Sequence, residues 1–239
     1  MSSSAAVPSI DGSPALKLLP VVLSVIAGSA DVISFLGLSG LFVAHITGNL
    51  IILAARLVTN VRVGVAPILS VPVFILALAL TRVLTAVLEA KKIASLQVML
   101  LLQFALLAGF LAFGIAAGSH ADADAAVAVW SGMLGVSAMA VQNALVQISV
   151  KGAPSTAVMT TNITRFTMDI GEVLLGTDPG EVAAARRRAS HTWPAIVGFA
   201  AGGAAGAALF AAVGISSMAL PAGGALVALV GIHLAGRTR

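Results

Sequence analysis

The sequence contains no cysteine and very little charge: 13 Lys and Arg and 9 Asp and Glu among 239 residues. Without cysteine there is no disulfide framework, thiolate zinc site, iron–sulfur cluster or c-type haem attachment, and the composition carries no information on redox compartment. The scarcity of charge excludes a water-soluble globular body, which carries about 25% charged residues against 9% here. A pI near 10.4 does not point to nucleic acid. It stems from a net charge of only +4, and the basic residues lie mostly at the ends of apolar segments, where membrane topology places them. Residues 1–16 have no basic region ahead of an apolar core, so no cleavable signal peptide is expected and they read as a disordered tail.

What the chain has instead is apolar length. Hydrophobic residues make up 59% of it and the mean hydropathy is +1.07. Six stretches, 18–38, 63–88, 93–117, 125–150, 193–213 and 215–235, are long enough to cross a hydrocarbon core about 30 Å thick. The expected fold is an all-α polytopic membrane bundle: one domain over 17–236, in contact with the lipid bilayer. Two further stretches are polar. Segment 40–58 carries His45, Thr47, Gly48, Asn49 and Arg56, and segment 153–175 carries Asn162, Arg165, Asp169, Glu172 and five threonines. At roughly +2.5 to +3.5 kcal/mol for each charge at a helix centre, the second cannot face lipid on all sides.

Charge bias separates two topologies. If all eight segments cross, eight basic residues lie with the N-terminus and four opposite. If the polar segments dip in and return, ten share the N-terminal side and only Arg56 and Arg62 lie opposite, with Asp122 and Asp124. The positive-inside rule therefore favours six spans plus two re-entrant or broken helices, with both termini cytoplasmic.

The chain also repeats itself. His45-Ile-Thr-Gly-Asn49 and Val158-Met-Thr-Thr-Asn162 superimpose at an offset of 113, which pairs Thr47 with Thr160 and Asn49 with Asn162. Asp31 falls within one residue of Asn143 on the same offset. Repeats over about 18–117 and 125–235, with three crossings each, must be inverted, the arrangement from which many transporters build a solute site near the midplane.

The candidate solute-binding residues are Asp31, His45, Thr47, Asn49, Thr160, Asn162 and Arg165. An acid inside a span either pairs with a cation or takes up a proton, so Asp31 reads as a proton-coupling group or as the partner of Arg165 or Arg56. Asn162, Arg165, Asp169 and Glu172 share one helical face; Arg165 can pair with Asp169 along it, or Arg56 can meet Asp169 across the repeat, with Glu172 extending the stripe. The alternative is that these charges reach headgroups or water. Thr and Asn are good N-cap residues, and free amides at a half-helix start bind anions or polar solutes. His45 either joins the site or is a hydrogen-bonded packing residue. No catalytic motif is present, and no enzyme activity, cofactor, metal or nucleic-acid partner is expected. Gln97, Gln103, Gln142 and Asn143 read as interhelical hydrogen-bond glue. Gly198, Gly202 and Gly206 allow close helix contact within the fold or across a homodimer. Asp178-Pro-Gly-Glu181 reads as the start of a short surface helix ending in Arg186, Arg187 and Arg188.

Ala27-Gly-Ser-Ala-Asp31, Phe42 with Thr47-Gly48-Asn49, and Met139-Ala-Val-Gln142-Asn143 together resemble the YoaK-type bacterial membrane proteins, a family whose domain has no assigned function. The resemblance runs from about residue 18 to 235. It departs from the family at Thr160-Thr161-Asn162, where a Thr-Gly-Thr-like step is expected. It implies an inner-membrane protein of about six spans and supplies no substrate. Two functions follow as expectations: a small-solute transporter or channel with its site between the halves, or a non-transporting scaffold or sensor in which the buried charges only fix packing.

Overall fold

The computed structural model describes residues 9–59, 61, 64–117 and 125–237. Among these, eight α-helices follow one another: α1 (Pro14–Gly37), α2 (Ile46–Val58), α3 (Val65–Ala90), α4 (Ser95–Ala117), α5 (Ala126–Ser149), α6 (Met159–Leu175), α7 (Pro179–Val213) and α8 (Ala219–Arg237). A 3-10 turn at Ile10–Gly12 precedes α1 and another at Gly214–Met218 joins α7 to α8. Helices α1, α3, α4, α5 and the continuous run Pro179–Arg237 are long and apolar enough to cross a membrane. The chain is a multi-pass helical membrane protein. At 1.5 Å per residue the 13 residues of α2 reach only about 20 Å, short of the core.

Contacts between the ends of elements settle how often the chain crosses. The Ile10 amide donates to the Lys151 carbonyl at 3.0 Å, so the end of α5 lies level with the start of α1. With α1, α3, α4 and α5 crossing, the end of α5 comes back to the N-terminal side; a crossing by α2 would put it opposite. The same test applies to α6. His191 Nε2 on α7 lies 3.2 Å from Asp11 Oδ1, so α7 passes that same level, and α6 enters and leaves on one side. Repeat-one geometry agrees, because Arg56 near the end of α2 donates to the carbonyl of Ser39 at the end of α1 (2.7 Å). Ser39 and Gly40 hold the turn there with φ of 53° and 85°, a left-handed conformation that suits Gly40.

Helices α1 and α7 form the closest seam. A Cβ at Gly198 would press on the Val21 carbonyl at 2.9 Å, one at Gly202 on the Val25 carbonyl, and one at Gly206 on Ser29 Cα at 3.0 Å. The register advances four residues on both helices together, so they run parallel. The glycine stripe is thus covered by α1 of the same chain, the close contact within the fold that was one of its two expected uses. Helix α7 itself differs from expectation. Asp178 caps it, accepting from the Gly180 amide at 3.0 Å, but no separate surface helix follows: Pro179–Val213 is one helix of 35 residues. Its length of about 52 Å exceeds the core. Residues 179–190, about 18 Å of helix, extend past the level of α1's start and pair antiparallel with the end of α6.

Helix pairings come in matched sets. Helices α1 and α7 pack as α5 and α3 do, α4 and α5 as α8 and α1 do, and α6 and α7 as α2 and α3 do, while α4 meets α8. Exchanging the first four helices for the last four leaves this set unchanged. Ahead of α1, Ile10 is buried and Asp11 pairs with Lys17 at 3.3 Å. Arg62, His120, Asp122, Asp124, Arg239 and residues 1–8 lie outside the described residues.

Candidate functional site

Each re-entrant segment is tied down by a polar side chain from the preceding long helix. In the first half this is Asp31, only 3% exposed. Its Oδ1 accepts from the amides of Val43 (2.9 Å) and Ala44 (2.6 Å), and its Oδ2 accepts from the His45 amide at 3.1 Å and lies 2.6 Å from His45 Nδ1. Those amides lead into α2, and with no water in the hydrocarbon core each needs an internal acceptor. Asp31 therefore takes the place that an anion would occupy at a half-helix start. It pairs with neither Arg56 nor Arg165. His45 acts with it, half-exposed, and its ring meets Phe199 on α7 edge-on at 5.5 Å.

In the second half the tie is Gln142 on α5. Its Nε2 donates to Thr156 Oγ1 and to the Leu23 carbonyl on α1, both at 2.9 Å. Its Oε1 accepts from Gln103 Nε2 of α4 at 2.7 Å. Gln142 precedes Thr156 by the same 14 residues that separate Asp31 from His45. The corresponding position is thus Gln142 and not Asn143, whose amide bonds the Met139 carbonyl one turn back in its own helix (2.9 Å).

The paired asparagines hook each half-helix to its own entry loop seven residues back. Asn49 Nδ2 donates to the Phe42 carbonyl (2.8 Å) and Asn162 Nδ2 to the Ser155 carbonyl (2.6 Å), and both side chains are buried. Neither caps: the N-cap residues are His45 and Val158, without side-chain cap bonds. Thr47 and Thr160 face outward at equivalent positions. The halves differ in completeness. Asn49 Oδ1 also accepts from the Phe42 amide (2.9 Å) and Asn49 Nδ2 reaches Ser70 Oγ (3.0 Å), whereas Asn162 Oδ1 has no partner among the described residues.

The charged stripe of α6 belongs elsewhere. Asp169 pairs with Arg188 of α7, Nη2 to Oδ1 at 2.7 Å and Nε to Oδ1 at 2.8 Å, and with neither Arg165 nor Arg56. This pair lies in the part of the α6–α7 hairpin that extends past the level of α1's start. Arg165 is exposed and Glu172 half-buried, and neither joins the interior network. The expected ion-pair fastening of the halves gives way to hydrogen bonds, because Asp169 takes its cation, Arg188, from the adjoining helix. Among the described residues no three His, Cys, Asp or Glu converge to hold a metal.

Gln103 and Thr156 are therefore part of the interior site that sequence reasoning assigned to glue or passed over. The equal spacing of 14 residues is the signal that could have found Thr156. No curated protein and no solved structure matches the chain. A family model described as "Protein of unknown function (DUF1275)" matches residues 19–231, nearly the whole helical body and in keeping with the YoaK-type resemblance. The chain belongs to this DUF1275 family.

Proposed function

We propose that this protein moves a small polar solute across the bacterial inner membrane, as a transporter or channel, through a site between two inverted repeats. The observation that carries the reading is the Gln103–Gln142–Leu23–Thr156 network. It joins α1 and α4 of the first half to α5 and the entry loop of α6 in the second, well inside the spans. Buried polar groups are retained in membranes chiefly where they bind or conduct, and re-entrant segments meeting at the interface of inverted repeats are a recurrent way to build such a site. The matched helix pairings and matched hooks support the repeat; three crossings per half make it inverted. Ten basic residues on the side of the termini support their cytoplasmic placement. The reading assigns binding and translocation, without reaction chemistry.

Osmotic swelling of proteoliposomes with a panel of small solutes tests it. Swelling beyond that of empty liposomes, lost on Gln142→Leu in protein that still folds, is the expected result; rates equal to empty liposomes for every solute refute it. A scaffold or sensor is the second reading, favoured by the wholly internal bonding of Asp31. It predicts that Asp31→Asn lowers thermal stability and alters no ligand response.

A further inference from the structure

The interior site has acceptors to spare. The loop amides of Val43, Ala44 and His45 all donate to Asp31. The Val158 amide donates to Ser155 Oγ at 3.0 Å, and both Nε2 hydrogens of Gln142 are engaged. Three buried side-chain oxygens, by contrast, have no partner among the described residues: Ser24 Oγ, Gln103 Oε1 and Asn162 Oδ1. Each belongs to a fully buried residue. All three sit on one network or a single residue from it. Gln103 donates to Gln142, Gln142 donates to Thr156 and to Leu23, the neighbour of Ser24, and Asn162 donates to Ser155, the neighbour of Thr156.

The chemistry of these leftovers is uniform. Two are amide oxygens, which only accept, and the third is a hydroxyl oxygen, which can. Leaving such groups unpaired in an apolar interior is costly, so a native protein keeps them for a reason. An anion finds a single free donor in this set, the Ser24 hydroxyl, beside two amide oxygens that repel it, and meets Asp31 at the half-helix start where it would otherwise bind. A divalent ion would want carboxylates, and Asp31 is already committed. Uncharged amide and carbonyl oxygens can replace the hydration shell of a monovalent cation.

We propose that Ser24, Gln103 and Asn162 supply oxygen ligands for a small monovalent cation, an alkali ion or an ammonium group, at the interface of the two repeats. The inference deepens the solute-site reading and rests on it for location, while binding itself is measured without transport. The experiment is the melting temperature of the purified full-length protein in detergent, followed by fluorescence of Trp130 and Trp193. It is read in NaCl, KCl or NH4Cl against N-methylglucamine chloride at equal ionic strength. At a hundredfold excess over Kd, a bound cation raises Tm by roughly 5 to 10 °C. Gln103→Met removes the rise and Gln103→Glu enlarges it. Should either variant not fold, equilibrium dialysis of wild type with radioactive sodium or rubidium decides, saturable binding supporting the site and its absence overturning it. A Tm that no small cation moves, an equal rise in folded Gln103→Met, or a rise that follows the anion overturns the proposal, the first meaning that ordered water satisfies the oxygens. Binding without flux removes the transport reading alone; flux without a cation response removes the cation site alone.

Discussion

Replacing Asp31 by alanine strips the acceptor from three backbone amides, those of Val43, Ala44 and His45, and from the His45 ring. An orphaned buried donor costs about 1 to 3 kcal/mol. At the lower bound the three amides amount to about 3 kcal/mol, which lowers Tm by roughly 6 to 12 °C in a chain of this size. Asparagine behaves differently. Its oxygen still serves Val43 and Ala44, and the imidazole can switch tautomer to accept from the new amide group, so only the His45 amide loses its short bond and the cost falls to about 1 to 2 kcal/mol. The assay is thermal unfolding of both variants in the same detergent, with hydrogen exchange at residues 43–45. Exchange there should accelerate strongly in Asp31→Ala and modestly in Asp31→Asn. Equal destabilisation by the two variants, or Asp31→Ala within about 0.5 kcal/mol of wild type, refutes the assignment of Asp31 as the tie for the entry loop.

Further outcomes follow from the packing and topology. Gly202→Ala, driven against the Val25 carbonyl, should separate α1 from α7 and cost more than 2 kcal/mol or so, while Gly223→Ala, with open space at its Cβ, should be neutral to about 1 kcal/mol stabilising; thermal unfolding distinguishes them, and equal effects discredit the seam. The cysteine-free chain allows single-cysteine labelling in intact cells: Ser39→Cys and Thr59→Cys should react from the same face of the membrane and Thr177→Cys from the other, whereas opposite faces for the first two mean that α2 crosses. Arg188→Asp should speed protease cleavage near residues 176–178, and adding Asp169→Arg should restore protection; no restoration means that the pair does not hold the hairpin.

Composition and periodicity read the membrane class and the long apolar helices well, because hydrophobic length is a property of each segment taken alone. Charge bias also pointed to the re-entrant topology that the Ile10–Lys151 and Asp11–His191 contacts require. Partner choice was harder to read. Asp169 had Arg165 four residues before it, and the closer sequence neighbour lost to Arg188, which a hairpin turn brings alongside. Asp31 was expected to seek a cation and instead serves backbone amides, since an entry loop in hydrocarbon has no other source of acceptors. That demand comes from the loop's path and cannot be seen in the residues 43–45 themselves.

The overhang of α6 and α7 bears on how the chain enters the membrane at all. Two halves of opposite orientation and similar apolar content give little preference for either way of insertion by their apolar surfaces alone, so that preference rests on charge. The overhang adds to it. It carries Arg186, Arg187 and Arg188 with Asp169 and Glu172, and it belongs to one half only: α2 has 13 residues where α6 has 17, and α3 has 26 where α7 has 35. Each charge dragged to mid-membrane costs roughly 2.5 to 3.5 kcal/mol, so carrying this hairpin across is costly. An element that touches neither Asp31 nor the interior oxygens thereby adds to the charge bias that orients both of them.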